Sequence, residues 1–263
     1  MRRIDWTTSP LPAAGIGVAL LLGWEAAVTL LKIPVFVLPG PADVAQALVK
    51  DRVLLLTGLV FTLKVTCLAF AAAMAIGVAI SLALAASRVL ENGVMPFMVV
   101  LQVTPVVAIA PLVILWISNT FVAQVTIATI TALFPIVANT TLGLRSVPPN
   151  LASLFRIYRA SGLQTLWRLK MKAALPYFFA GARIGSGLAL VGAVVAEFVA
   201  GTGGVQSGLA FLILEAGVQL KVPRMFAALF LVSLTGIALF AAMAFVSRRS
   251  LGAWHDSAAV HEQ

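Results

Sequence analysis

Charge is scarce in this sequence. Of its 263 residues only 10% are Asp, Glu, Lys or Arg, where a soluble domain carries about 25%. There is one cysteine, Cys67, and there are two histidines, His255 and His261, both in the polar C-terminal tail. A disulfide within the chain and a His/Cys metal site within the chain are therefore excluded. No G-x-x-x-x-G-K-[ST] loop occurs, nor H-E-x-x-H, nor G-x-S-x-G. The chain thus shows no phosphate-cradling loop, no zinc-protease pair and no nucleophile elbow of its own. No cluster of Asp and Glu falls in an apolar stretch, so a carboxylate proton relay is not legible either. These absences exclude a water-soluble enzyme and a disordered chain. They also argue against a self-contained membrane enzyme or ion-coupled pump, and no catalytic residue or metal ligand is assigned.

What the sequence has is hydrophobicity: 61% apolar residues and a mean hydropathy of +1.06. A bilayer-spanning helix needs about 20 apolar residues. Uncharged runs cover 65–87, 92–144 and 225–247. The second is too long for one helix, and Ser118, Asn119 and Thr120 divide it with a tight turn. The stretch 173–200 carries only two charges, Arg183 and Glu197. Residues 11–31 follow Arg2 and Arg3 in the manner of a signal peptide, but the stretch is long enough to span and no small-residue cleavage site follows it. It reads as a retained first helix. The expectation is an all-α polytopic membrane protein, a single transmembrane domain over 1–263. Its six spans fall at about 11–31, 62–86, 94–117, 121–143, 174–200 and 225–247.

The net charge of +9 suggests nucleic acid in a soluble protein. In a membrane protein Lys and Arg mark cytoplasmic loops instead. With a cytoplasmic N-terminus, the inside set is Arg2, Arg3, Arg88, Arg145, Arg156, Arg159, Arg168, Lys170, Lys172, Arg248 and Arg249. The outside set is Lys32, Lys50, Arg52, Lys64, Lys221 and Arg224. That is eleven against six of the eighteen basic residues, with Arg183 left in the membrane. The bias places both termini inside.

The 145–172 loop is the largest of the inside connections. Pro148-Pro149-Asn150 breaks the preceding helix and offers Asn150 as an N-cap. Leu151, Leu154, Phe155 and Tyr158 follow at helical spacing, with Arg156 and Arg159 on other faces, which predicts a short amphipathic helix over 150–162. A second half, 163–172, sets Leu166, Trp167 and Leu169 among Arg168, Lys170 and Lys172. Two readings fit: an interfacial helix facing anionic headgroups, or a docking helix laid into a groove of a cytoplasmic partner. On the other side, Pro39-Gly40-Pro41 precedes a short helix, 42–49, with Asp43 near its positive end. Residues 205–220 are weakly apolar and short for a span, so a re-entrant or surface helix is expected there. Cys67 sits in an apolar run and reads as a small buried hydrophobe.

Inside the spans, Gln102, Thr104, Pro105 and Pro111 form an irregular segment, because proline frees a carbonyl and bends a helix. It reads either as a gate segment lining a path or as a packing kink. Arg183 and Glu197 are expensive in a bilayer and are expected to face an interior or a cavity. They lie about 40° apart in phase and about 21 Å apart in height, so they share a face without pairing. Arg183 reads equally as a residue snorkelling to the interface. Glu197 reads as an outer gate group or as a cap beside Gly201-Thr202-Gly203-Gly204. Gly181, Gly185, Gly187 and Gly192 let a neighbouring helix approach closely. Glu25 is a candidate for an interhelical hydrogen bond.

Taken in order, the motifs resemble the permease subunits of bacterial ABC importers, the binding-protein-dependent transport components. The branch they look most like is the nitrate/sulfonate/taurine one, with its thiamine-pyrimidine precursor and riboflavin permeases. Trp24-Glu25, Pro34 and Leu38-Pro39-Gly40-Pro41 look like that branch's first-helix exit. Pro105-Val106-Val107-Ala108-Ile109-Ala110-Pro111-Leu112 with Trp116 resembles its proline-kinked third segment. Asn139-Thr140-Thr141-Leu142-Gly143 and Ala173-Ala174-Leu175-Pro176 flank its coupling loop. Gly181-Ala182-Arg183-Ile184 and Glu197-Phe198-Val199-Ala200-Gly201 match its fifth segment. The coupling loop departs from the pattern E-A-A-x-x-x-G-x9-I-x-L-P. Ser153, Leu154 and Phe155 stand at E-A-A, Arg159 at the glycine, and Leu169, Lys170, Met171 and Lys172 at I-x-L-P. Ala160-Ser161 and Ala173–Pro176 are ordinary for the family.

The resemblance implies a type I importer permease in the bacterial inner membrane that binds no cofactor itself. Separate cytoplasmic ATPase subunits would use ATP and Mg. They would grip Asn150, Leu151, Ser153, Leu154, Phe155, Tyr158, Arg159, Ala160 and Ser161. Gln102, Thr104, Pro105, Pro111, Arg183 and Glu197 would belong to the path or gate. A second permease subunit, a second copy of this chain, would complete the path. A periplasmic or lipid-anchored substrate-binding protein would deliver a small organic solute by alternating access. The partners are the bilayer and these proteins, not nucleic acid. The competing reading is a self-contained channel or secondary transporter, and a third is a membrane scaffold or lipid-modifying enzyme.

Overall fold

A computed structural model describes residues 11–200 and 207–251. The expectations for Arg2, Arg3, residues 201–206 and the histidine-bearing tail lie outside these residues. Every regular element among them is helical: α1 (Leu11–Leu30), α2 (Pro41–Lys50), α3 (Arg52–Ala86), α4 (Arg88–Val103), α5 (Val106–Trp116), α6 (Thr120–Arg145), α7 (Pro149–Ile157), α8 (Gly162–Thr165), α9 (Met171–Ala200), α10 (Leu209–Val218) and α11 (Val222–Leu251). A π-helical turn, Leu166–Lys170, joins α8 to α9 without a break.

Four helical stretches are long and apolar enough to cross a membrane: Arg52–Ala86, Thr120–Arg145, Gly162–Ala200 and Val222–Leu251. Two other runs read as spans take different forms. In α1 the apolar stretch Gly15–Leu30 falls among the shorter apolar helices. The 94–117 run divides into α4 and α5, bent by 100° at the break. Proline has no N–H, and its ring drives the residue before it out of the helical region. Thr104 and Pro105 accordingly have ψ of 124° and 118°. Pro96, Pro111, Pro135 and Pro176 sit inside helices that continue past them.

Small residues hold the centre of the bundle. On α3 the buried stripe includes Gly58, Thr62, Ala69, Ala73, Gly77 and Ser81. A Cβ at Gly181 would lie 2.6 Å from the Pro135 carbonyl oxygen, and one at Gly192 would lie 2.7 Å from the Ala128 Cα. The α6 and α9 backbones therefore touch, as the glycine spacing predicted. Gly187 has nothing within 4 Å and is not in that seam. Layers of Val65, Ala69, Ala128 and Ala193, then Ala73, Ala132, Ile136 and Ala189, fill the space between α3, α6 and α9. Larger side chains close the α2 end: Val44, Leu55, Leu209 and Leu212 pack with Ala227 and Ala228, with Trp24 against them.

Polar ties fix both ends. Arg224 donates to both carboxylate oxygens of Asp51, at 2.7 and 2.9 Å, and joins the α2–α3 corner to α11. The guanidinium hydrogen bond holds the Asp51 carboxyl below its ordinary range, against the opposing effect of burial. At the other end Arg145 pairs with Glu91. It also donates to the Leu84 carbonyl at 3.1 Å, which ties the last turn of α3 to α6. Glu25 accepts from the Ala42 N–H at 3.4 Å, an interhelical hydrogen bond at the start of α2.

The expectation that Cys67 is buried is corrected: its side chain is exposed on α3. This helix is apolar on every side, so its sequence does not say which side packs. Lys64, assigned above to an outside loop, lies within α3 as well.

Candidate functional site

The loop after α6 is built of three local devices. The N-cap of α7 is Pro148, with Pro149 at the first helical position. The expectation that Asn150 caps this helix is therefore corrected. Proline is preorganised for the first turn and loses no hydrogen bond there, so the cap falls two residues earlier and Asn150 lies inside the helix. The helix also ends sooner than 162. The Ala160 N–H donates to the Phe155 carbonyl at 2.9 Å, and the Arg159 N–H donates to the Arg156 carbonyl at 3.0 Å. This is the Schellman closure, which places one residue in the left-handed region. That residue is Arg159, with φ of 51°. It stands at the family pattern's glycine, and the geometry supplies the reason for a glycine there. Lys32 and Leu220 have the same conformation after α1 and α10.

Ser161 then starts α8. Its hydroxyl accepts from the Gln164 N–H at 3.2 Å, and the Gln164 side chain accepts from the Ser161 N–H at 2.9 Å. This S-x-x-Q capping box was readable in the sequence and Gln164 was not singled out. The two devices fold α7 against α8 around a groove of about 290 Å³, lined by Leu154, Phe155, Tyr158, Ala160, Gln164 and Arg168. No residue of α7 is buried. Asn150, Leu151, Ser153, Leu154 and Arg159 are exposed, and Ile157 and Tyr158 are 76% and 78% exposed. Ile157 was also missed, although it shares the exposed apolar surface.

The residues expected at a path or gate are not gathered into one site. Gln102, Thr104 and Pro105 sit at the α4–α5 bend, and Pro111 is exposed within α5. The Thr104 hydroxyl donates to the Val100 carbonyl at 2.7 Å, within its own helix. Arg183 lies over the Phe240 ring of α11, 5.4 Å from its centroid. Its buried Nε has no hydrogen-bond partner among the described residues.

Glu197 takes the capping alternative. It is 1% exposed and accepts from the Thr62 hydroxyl at 2.8 Å and from the Ala210 N–H at 3.0 Å. The Thr62 oxygen in turn accepts from the Leu209 N–H at 2.9 Å. Both N–H groups belong to the first turn of α10, where a carboxylate is favoured by orphan donors and dipole. A Cβ on Gly208 would overlap the carboxylate, so α10 can approach only with glycine there. Thr62 carried no sequence signal, because a lone threonine in an apolar helix reads as neutral.

With this geometry in hand, the comparisons are specific. Residues 75–251 match the binding-protein-dependent transport system inner membrane component family. The riboflavin transport system permease protein RibX of Chloroflexus aurantiacus is 36% identical over 264 residues, covering 98% of this chain and 94% of that protein. A probable ABC transporter permease protein of Haemophilus influenzae is 32% identical, covering 87% and 91%. The formylaminopyrimidine transport permease protein ThiX of Halalkalibacterium halodurans is 31% identical, covering 85% and 88%. A solved amino acid ABC transporter with histidines superposes with a TM-score of 0.62 at 16% identity, over 78% of this chain and 97% of that one, and so shares the fold.

The chain belongs to the binding-protein-dependent transport system inner membrane component family. It is a multi-pass membrane permease subunit of an ABC importer, whose ATP is used by a partner ATPase and whose solute is brought by a substrate-binding protein.

Proposed function

We propose that this permease forms half of the solute path, that a second copy of the chain supplies the other half, and that the ATPase grips the α7–α8 loop. Both termini lie on the ATPase side, in keeping with the eleven basic residues assigned there. The chain contributes no catalytic group. The solute is a small organic molecule, in line with the names of the riboflavin and formylaminopyrimidine relatives.

The observation that carries this reading is the α7–α8 groove. Leu154, Phe155 and Tyr158 line it, and no residue of α7 is buried. Apolar side chains displayed on a capped, rigid turn form a helix-in-groove docking element. Nucleotide-driven closure of the ATPases would move two such turns together and rock the subunits between inward and outward states.

The test is co-purification and uptake with the cognate ATPase. L154E/Y158E is expected to lose the ATPase and ATP-driven uptake while the bundle keeps its thermal stability. Retained uptake in this variant would overturn the docking assignment, and uptake without any ATPase would favour a channel or secondary transporter.

A further inference from the structure

The α7–α8 loop carries positive charge and no negative. Residues 145–172 hold six basic residues, and no Asp or Glu occurs between Glu91 and Glu197. Glu91, the acid described at this end of the bundle, already pairs with Arg145. Arg156, Arg159 and Arg168 are exposed. Among the described residues none of their guanidinium groups has a hydrogen-bond or ion-pair partner. Ser153 stands where the family pattern has its acid, and Arg159 where it has its glycine. Arg168 lines the groove together with Leu154, Phe155 and Tyr158, so an apolar docking surface has a cation in its wall.

These charges sit on fixed backbone. Arg159 occupies the left-handed closure of α7, and Arg168 lies in the π turn that runs on into α9. The continuous helical stretch Gly162–Ala200 has 39 residues. It is about 58 Å long at 1.5 Å per residue, against a hydrocarbon core of about 30 Å. Its charged end is 162–172, so that end stands clear of the hydrocarbon. All three unpartnered cations are arginines. A guanidinium fork matches the two oxygens of a carboxylate, whereas a headgroup surface is served as well by lysine.

We propose that this loop selects an ATPase whose docking cleft presents carboxylates to Arg156, Arg159 and Arg168. Leu154, Phe155 and Tyr158 supply the buried contact. The guanidinium groups supply the choice of partner, because an acidic cleft is attracted and a basic one is repelled. This rests on the reading that the ATPase grips the α7–α8 loop, and it adds the charge which that cleft carries.

The test uses the permease–ATPase complex purified in a neutral detergent. The complex is titrated with salt. It is also treated with a carbodiimide, which joins a lysine amine to a carboxylate in direct contact. R159K and R168K, one at a time, supply the amine. The expected result is an amide cross-link from each new lysine to an Asp or Glu side chain of the ATPase, located by mass spectrometry. R156Q/R159Q/R168Q is expected to weaken ATPase binding about tenfold at low salt, as three exposed pairs would, and to flatten the salt dependence. R156K/R159K/R168K is expected to keep most of the affinity.

An assembled complex with no cross-link from either lysine would overturn the proposal. So would a triple glutamine variant that binds like wild type. A binding defect confined to vesicles containing anionic lipid would assign the guanidinium groups to headgroups and overturn it too. Should the triple variant fail to fold, R168Q and the salt titration of wild type decide the matter. Failure here is distinct from failure of the docking reading. If docking itself is wrong, L154E/Y158E keeps the ATPase; if only the charge pairing is wrong, L154E/Y158E loses the ATPase and the glutamine variants keep it.

Discussion

The seam between α6 and α9 and the α7–α8 loop are opposites built from adjacent stretches of chain. The seam uses glycine and alanine, and its backbones touch. The loop uses leucine, phenylalanine, tyrosine and tryptophan, and α7 buries none of its residues. In a bilayer, lipid is as apolar as leucine, so helices associate through close packing of small residues. In water, large apolar residues left exposed on a capped turn remain available for a partner. Between these two regions, residue size rather than hydrophobicity separates what packs from what stays exposed.

Substitutions in the seam break that contrast most severely. Gly192→Val puts a branched side chain where the Ala128 Cα and Thr131 already stand within 3 Å. Loss of the folded, detergent-soluble protein is expected, because the obstacle includes backbone and overpacking costs about 1–3 kcal/mol even where side chains yield. Gly187→Ala, facing open space, is expected to leave the melting temperature unchanged. Equal damage by both would show that the seam is not the stabilising feature.

The α10 latch comes next. Thr62→Val removes the hydroxyl that links Glu197 to the Leu209 N–H and leaves buried polar groups unpaired. A loss of about 1–3 kcal/mol is expected, read as a lower melting temperature and faster hydrogen exchange at the start of α10. Thr62→Ser is expected to keep most of the stability.

The Asp51–Arg224 pair predicts a pH dependence of defined sign. The Asp51 pKa is lowered from 3.8 by the Arg224 hydrogen bond. Its stabilisation is therefore full above 3.8 and is lost as pH falls through the lower folded value. D51N is expected to melt below wild type at pH 7, and the gap is expected to narrow as pH drops below 3.8. A gap independent of pH would assign the effect to packing.

The smallest effect sharpens the loop side of the contrast. A non-glycine residue in the left-handed region costs about 1–2 kcal/mol. Arg159→Gly relieves that strain, partly offset by the entropy of glycine in the unfolded chain. It is expected to slow hydrogen exchange in α7 severalfold and to leave the melting temperature of the bundle unchanged. Faster exchange would mean that the Arg159 side chain itself holds the turn.

Much of this architecture was legible in linear order, and the exceptions are instructive. Gaps in the charges located α3, α6 and α11, because a charge in a span is expensive wherever it points, and α9 was located as an apolar stretch carrying two charges. The Ser118–Thr120 turn was legible because Asn119 caps α6 by accepting from the Val122 N–H at 3.0 Å. Of the prolines in the third apolar run, only Pro105 marks the break. Both prolines of the bend were visible, but which one breaks the helix depends on what neighbours can supply to the freed carbonyls. The first helix of the loop was legible from its apolar spacing, yet its N-cap lies two residues before the expected Asn150, at Pro148, because Pro149 takes the first helical position.

The sequence by itself determined the medium, the helices and the exposed loop, since these follow from composition, spacing and local capping. Tertiary structure alone decided which face of each apolar helix packs. It paired Glu197 with Thr62, 135 residues away, and left Cys67 and Lys64 exposed on α3. The reason is physical: a helix that is hydrophobic all round carries no internal signal of direction, and only the fit of neighbouring backbones breaks that symmetry.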